Sequence, residues 1–181
     1  MDYYIDAVGK FFEYETFKIL KFVDSSSNPI LVRNLTIEKY DFLKRKLKLK
    51  SDSNVDLIFR NKYGDYKTLE VKSSLKYLSD FKIHYLKSYF SEYWIFFSIN
   101  PYNIEKSKYQ ILKYYDVKEL KNYCKPQKKY NLKHLNLNSF LSFDKFIIKL
   151  IDVLNLNSQD FNYKIDFVNS DLRQFIETLN I

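Results

Sequence analysis

Residues 54–74 read NVDLIFRNKYGDYKTLEVKSS, and their pattern decides the fold. Val55, Leu57 and Phe59 alternate with Asp56, Ile58 and Arg60; Leu69 and Val71 alternate with Glu70 and Lys72. A period of two on each side of a glycine predicts two strands joined by a tight turn at Gly64. If Lys62, Tyr63 and Gly64 form the loop, with Gly64 left-handed, Asn61 pairs with Asp65 and Asp56 lies opposite Glu70. Such opposite residues hold their Cβ atoms about 4.5–5.5 Å apart. Two carboxylates that close repel unless a cation sits with them. Lys72, two residues past Glu70, projects from the same face. A two-residue loop of Tyr63 and Gly64 sets Asp56 opposite Val71 instead and breaks the constellation. An ordinary cross-strand pair of Asp56 with Lys72 on a half-exposed sheet is the competing reading.

The elements around this hairpin follow from periodicity. Residues 6–23 predict a helix with Val8, Phe12, Thr16, Ile19 and Val23 on one stripe. Glu13 falls inside the apolar arc and Glu15 at its edge, so Glu13 is the carboxylate expected to need a partner: an ion, a lysine or solvent. Gly9, one turn earlier, is expected to admit another backbone. Residues 30–32 predict a short strand. Residues 36–50 predict a helix ending in the basic run from Lys44. Residues 78–91, with Phe81, Tyr85 and Tyr89 at four-residue spacing, predict a helix. The apolar run 93–99 predicts a central strand buried on both faces. A further strand is expected over 109–117 and a short helix over 118–123. A polar basic connector follows over 125–134, then amphipathic helices over 143–156 and 171–181, capped by Ser142 and Ser170.

An Asp at the start of one strand followed by Glu-x-Lys on the next (Asp56, Glu70, Lys72) resembles the PD-(D/E)XK nuclease superfamily, which includes restriction endonucleases and archaeal Holliday-junction resolvases. Val55 stands where that motif has proline. Gly9-x-x-x-Glu13 resembles the acidic first helix of the resolvase-like members. The resemblance implies an α/β fold, a restriction-endonuclease-like mixed β-sheet flanked by helices. Residues 1–123 form that core; residues 124–181 form a basic connector and a helical C-terminal extension outside it.

The same resemblance implies a Mg²⁺-dependent endonuclease acting on DNA, with Mn²⁺ able to substitute. It makes Asp56, Glu70 and the backbone carbonyl of Val71 metal ligands. Glu13 binds directly, through water, or at a second metal position. Lys72 contacts the scissile phosphate or the attacking water, with an amine pKa lowered by its surroundings. Ser73, Lys76 and the Lys44, Arg45, Lys46 cluster are candidate nucleic-acid contacts. One site cuts one strand, so a homodimer is expected for a duplex or junction. A binding module with this fold but no turnover is one alternative. The other is an interaction subunit whose C-terminal helices dock a protein partner.

Composition bounds these readings. A chain of 181 residues is long enough for one core, and 46% hydrophobic and 19% aromatic residues argue against disorder. A formal charge of +8 suits a polyanionic partner. The single cysteine, Cys124, excludes an intrachain disulfide framework and fits a reducing, cytoplasmic compartment. No apolar run reaches the length of a membrane span, and the N-terminus has no secretory pattern. His84 and His134 have no metal-spaced companions, and no phosphate-binding glycine loop or nucleophile elbow is present.

Overall fold

A computed structural model describes residues 2–49, 55–76, 80–84, 91–113, 126–127, 132–136, 139–158 and 166–179. A mixed five-stranded sheet flanked by helices organises the chain, an α/β architecture. Its strands are β1 (Ile30–Leu31), β2 (Leu57–Arg60), β3 (Tyr66–Ser74), β5 (Tyr93–Ser98) and β6 (Lys108–Lys113), side by side in that order. Only the β3–β5 pair is parallel, and it sets Glu70 beside Trp94. A second sheet has the order β4 (Asp80–His84), β8 (Leu132–Asn136), β7 (Pro126–Gln127).

Alternation along the strands sorts the core into two layers. Leu57, Phe59, Leu69, Val71, Ile95, Phe97 and Ile111 pack in one cluster. Helix α1 (Asp2–Val23) adds Val8, Phe12, Ile19, Leu20 and Val23, and α3 (Phe143–Leu154) adds Phe146 and Leu150. Phe12 and Phe97 meet with ring centroids 4.9 Å apart. Against β2 from the other side, Ile58 packs with Val55, Val32 and Tyr40 of α2 (Ile37–Lys46). Thr36 caps α2, its hydroxyl accepting from Lys39 N–H at 3.3 Å. Trp94 and Phe96 are fully buried, as expected of a strand covered on both faces.

The last helix, α4 (Asp166–Thr178), buries Leu172 and Ile176 in the same cluster, and Phe175 stacks on Phe11 with centroids 4.0 Å apart. The helices expected as a C-terminal extension therefore share the apolar core of the sheet.

Several expectations are corrected. Residues 80–84, read as part of a helix, form β4; residues 77–79 and 85–90 lie outside the described residues. Phe81 and Ile83 fit a period of two as well as Phe81 and Tyr85 fit four, and antiparallel pairing with β8 decides for the strand. The basic connector likewise contains β7 and β8. Helix α4 begins at Asp166, so Ser170 lies within it rather than capping it. Ser142 does precede α3, but its side chain makes no capping bond. Gly9 admits no backbone, since a Cβ there would meet nothing within 4 Å. The helix expected over 118–123 lies outside the described residues, as does the end of the strand expected over 109–117. Among the described residues, no helix is long and apolar enough to cross a membrane.

Candidate active site

The β2–β3 turn sets the geometry of the candidate site. Asn61 N–H donates to Asp65 O at 2.9 Å, and Gly64 N–H donates to Asn61 O at 3.0 Å. The Asn61 side-chain oxygen accepts from the N–H groups of Tyr63 and Asp65 at 3.0 and 2.9 Å. Gly64 has φ +87, where a side chain is disfavoured. The loop therefore has three residues, and the ladder pairs Arg60 with Tyr66 and Leu57 with Leu69. Beyond its last pair lie Asp56 and Glu70, close enough that the Asp56 charge raises the Glu70 pKa. The ladder is distorted there: Asp56 N–H donates to Leu69 O at 3.2 Å, and Val32 N–H donates to Asp56 O at 3.0 Å.

Each carboxylate has a different set of partners. Asp56 Oδ2 accepts from Val71 N–H at 2.7 Å. Burial raises the Asp56 pKa, against the opposing pull of Lys72, the Val71 N–H and Arg33. Glu70 is buried; its Oε1 accepts from Lys72 Nζ at 2.7 Å, while Oε2 is buried with no hydrogen-bond partner. Burial pushes Glu70 up to about 7; Lys72 opposes this, and Asp56 and Glu13 add to it. Lys72 Nζ also sits 5.7 Å from the Trp94 ring centroid.

Glu13 reaches this group from α1. Its pKa rises to about 7, through burial first and then Asp56, with Arg33 and Lys72 pulling the other way. Arg33 Nη1 lies 3.1 Å from Glu13 Oε2, and Arg33 Nη2 donates to Lys10 O at 2.9 Å. Glu13 and Asp56 line a cleft of about 290 Å³ together with Asp6, Lys10, Arg33 and Tyr40.

Glu15, expected at the edge of the helix's apolar arc, is the more buried of the two glutamates. Lys18 bridges it to Asp171 of α4, with Nζ 2.5 Å from Glu15 Oε1 and 2.6 Å from Asp171 Oδ2. Asp171 belongs to a helix distant in sequence that no helical wheel of α1 contains.

Five expected residues are thus neighbours: Glu13, Asp56, Glu70, Val71 and Lys72. The expected nucleic-acid contacts are spread differently. Lys44 pairs with Asp41 at 3.0 Å and lies over the Tyr40 ring; Arg45 donates to Asp41 O at 3.3 Å; Lys46 lies over Phe42. These close the far end of α2 from the cleft, which is lined by Thr36, Ile37 and Tyr40. Ser73 stands one residue from Lys72 and so belongs to the opposite face of β3, and Lys76 is exposed just beyond that strand. Arg33 and Lys10 were not among the expected residues. Two signals point to them: Lys10 precedes Glu13 by one helical turn, and Arg33 follows a short strand directly.

Among the described residues, no three His, Cys, Asp or Glu side chains are grouped to hold one ion. A smaller donor set remains. Mg²⁺ binds through one or two carboxylates while keeping several waters. Asp56 and Glu70 offer hard oxygen donors on facing strands, and the unsatisfied Glu70 Oε2 is a buried acceptor that a cation would complete. The residues present fit a hydrated divalent ion on that pair, with Glu13 next to it.

The chain matches no protein-family model, and no curated protein or solved structure shows significant similarity to it.

Proposed function

We propose that this protein is a metal-dependent endonuclease that hydrolyses phosphodiester bonds in DNA, with a restriction-endonuclease-like core. The observation that carries the reading is the grouping of Asp56, Glu70 and Lys72 just past the hairpin closed by the three-residue turn at Gly64. An apolar or hydrogen-bonded pair would satisfy a structural hairpin. Facing carboxylates in a part-buried site raise one another's pKa and favour an added cation. The net charge of +8 supports a polyanionic substrate.

When bound, Mg²⁺ or Mn²⁺ supplies charge neutralisation and an activated water. Asp56 and Glu70 would hold the ion, aided by the Val71 carbonyl, with Glu13 as the neighbouring carboxylate. The Val71 N–H fixes the Asp56 carboxylate, and the Trp94 ring and Glu70 hold the Lys72 ammonium. Lys72 shifts from Glu70 to the scissile phosphate or the attacking water. Water oxygen would bond to phosphorus while the bond to the leaving sugar oxygen breaks; the attacking water gives a proton to solvent and the leaving oxygen takes one from solvent to become a hydroxyl. Two such sites in a homodimer would cut both strands of a duplex.

Cleavage of supercoiled plasmid and of a branched DNA in Mg²⁺ or Mn²⁺, wild type against Glu70→Gln, tests the reading. Metal-dependent nicking lost in the variant supports it; nicking that survives the substitution ends it.

The Glu70–Lys72 ion pair and the lack of a three-carboxylate group among the described residues favour a second reading, a DNA-binding module without turnover. Salt-sensitive binding by a wild type that never cleaves would select it.

A further inference from the structure

Arg33 has no role in the chemistry above, yet it lines the cleft beside Glu13 and Asp56. It extends from the turn Val32–Asn34 to α1. Its two terminal nitrogens reach different groups, Nη1 the Glu13 carboxylate at 3.1 Å and Nη2 the Lys10 carbonyl at 2.9 Å. The guanidinium therefore already spends its fork, the geometry that matches a phosphate's paired oxygens. Both partners lie at the rim of the same cleft.

The charges in that cleft set an order of events. Asp6, Glu13 and Asp56 line it with Lys10 and Arg33, and each cation already faces a carboxylate, so no positive charge is left over to draw a phosphate. A divalent ion on the carboxylates supplies it. Lys10 is held by Asp6 in an exposed pair of little strength, so it too can turn toward an anion.

We infer that Arg33 couples metal to substrate: it neutralises Glu13 while no ion is bound, and turns to a phosphate of the DNA strand once an ion satisfies the carboxylates. Arg33 is then a substrate-positioning residue, and the cleft is the path of the strand next to the scissile bond. This inference rests on the proposed active site. Coupling of this kind is reciprocal, so the ion must tighten DNA binding by the factor by which DNA tightens ion binding.

The test separates Arg33's two partners. Ca²⁺, which takes the same oxygen ligands, is titrated by calorimetry into the full chain without DNA, wild type against Arg33→Gln. Anisotropy of a labelled oligonucleotide is then followed in Ca²⁺ and in EDTA. Removing the competing cation should tighten Ca²⁺ binding several-fold. The same variant should lose about tenfold of the Ca²⁺-induced gain in DNA affinity, and its salt slope should fall by about 1. Arg33→Lys keeps the charge without the fork and covers the case in which Arg33→Gln misfolds; it should keep wild-type Ca²⁺ affinity and lose part of the gain. Unchanged or weaker Ca²⁺ binding by Arg33→Gln, or an undiminished gain in both variants, overturns the inference while leaving the active site standing. A wild type that binds no divalent ion overturns both.

Discussion

Lys72 Nζ donates to Glu70 Oε1 at 2.7 Å from two positions along the same strand, while Glu70 Oε2 is buried and unbonded. One oxygen is satisfied by the chain and the other is left over. Burial of a charged group stands only if it is paired, and here the chain pairs one carboxylate oxygen and leaves the other without a partner.

Lys72→Met should therefore weaken the fold as well as any cleavage. Losing a charged hydrogen bond costs about 1–3 kcal/mol, and the loss should be larger at pH 8, where Glu70 must ionise, than at pH 5. Adding Glu70→Gln to that variant should restore part of the stability, a coupling that urea melts of both single variants and the double variant would expose. Strictly additive losses would show that the pair has no such role.

Stability should fall as pH rises through the range between the ordinary glutamate value of 4.5 and about 7, to which Glu13 and Glu70 are both pushed. The sign follows from linkage: a carboxyl with a raised folded-state pKa binds more protons when folded, so ionisation favours the unfolded chain. Melting temperatures across pH 4–8 check the direction, and Glu70→Gln should flatten the profile. Mg²⁺ should raise the melting temperature more at pH 8 than at pH 5, because binding to the folded state alone stabilises it and needs the ionised carboxylates.

Gly64→Ala should destabilise the hairpin without abolishing it. A left-handed alanine costs roughly 1–2 kcal/mol, which lowers the melting temperature by about 2–8 °C in a chain of this size. The added Cβ would meet only Arg60 Nη2, at 3.2 Å, the far end of a flexible side chain. The Asn61–Asp65 bonds still hold the register, so the proposed DNA cleavage, if the wild type shows it, should persist at temperatures below the transition. A melting temperature equal to wild type would mean that the turn carries no strain.

Leu172→Ala should cost about 2–5 kcal/mol, the range for a buried leucine. Leu172 is 1% exposed and belongs to the same cluster as Phe12 and Phe97. One cooperative transition at a lower denaturant midpoint is expected, because α4 and the sheet share a core. Two separate transitions would instead make α4 an independent appendage.

The β2–β3 hairpin was legible because its information is local. Alternation over residues 55–71 assigns faces and Gly64 places the turn, leaving two loop lengths between which the Asn61–Asp65 hydrogen bond decides for three residues. The helix ending at Val23 and the buried strand at Tyr93–Ser98 were readable for the same reason. Where two periods fitted equally, local information ran out. Phe81 and Ile83 joined a strand because Leu132–Asn136 lay free to pair, and no property of residues 78–91 contains that partner.

The candidate site divides along the same line. The amino-acid order by itself narrowed the hairpin to two loop lengths, one of which brings Asp56 to Glu70 and Lys72. The folded structure decided for the three-residue loop, tied α4 to Glu15 through Lys18, and left Glu13 at the cleft with Arg33 crossing from a turn to answer it. Backbone register is a short-range constraint of pleat and turn, whereas burial and charge pairing are set by whichever distant element the core draws in.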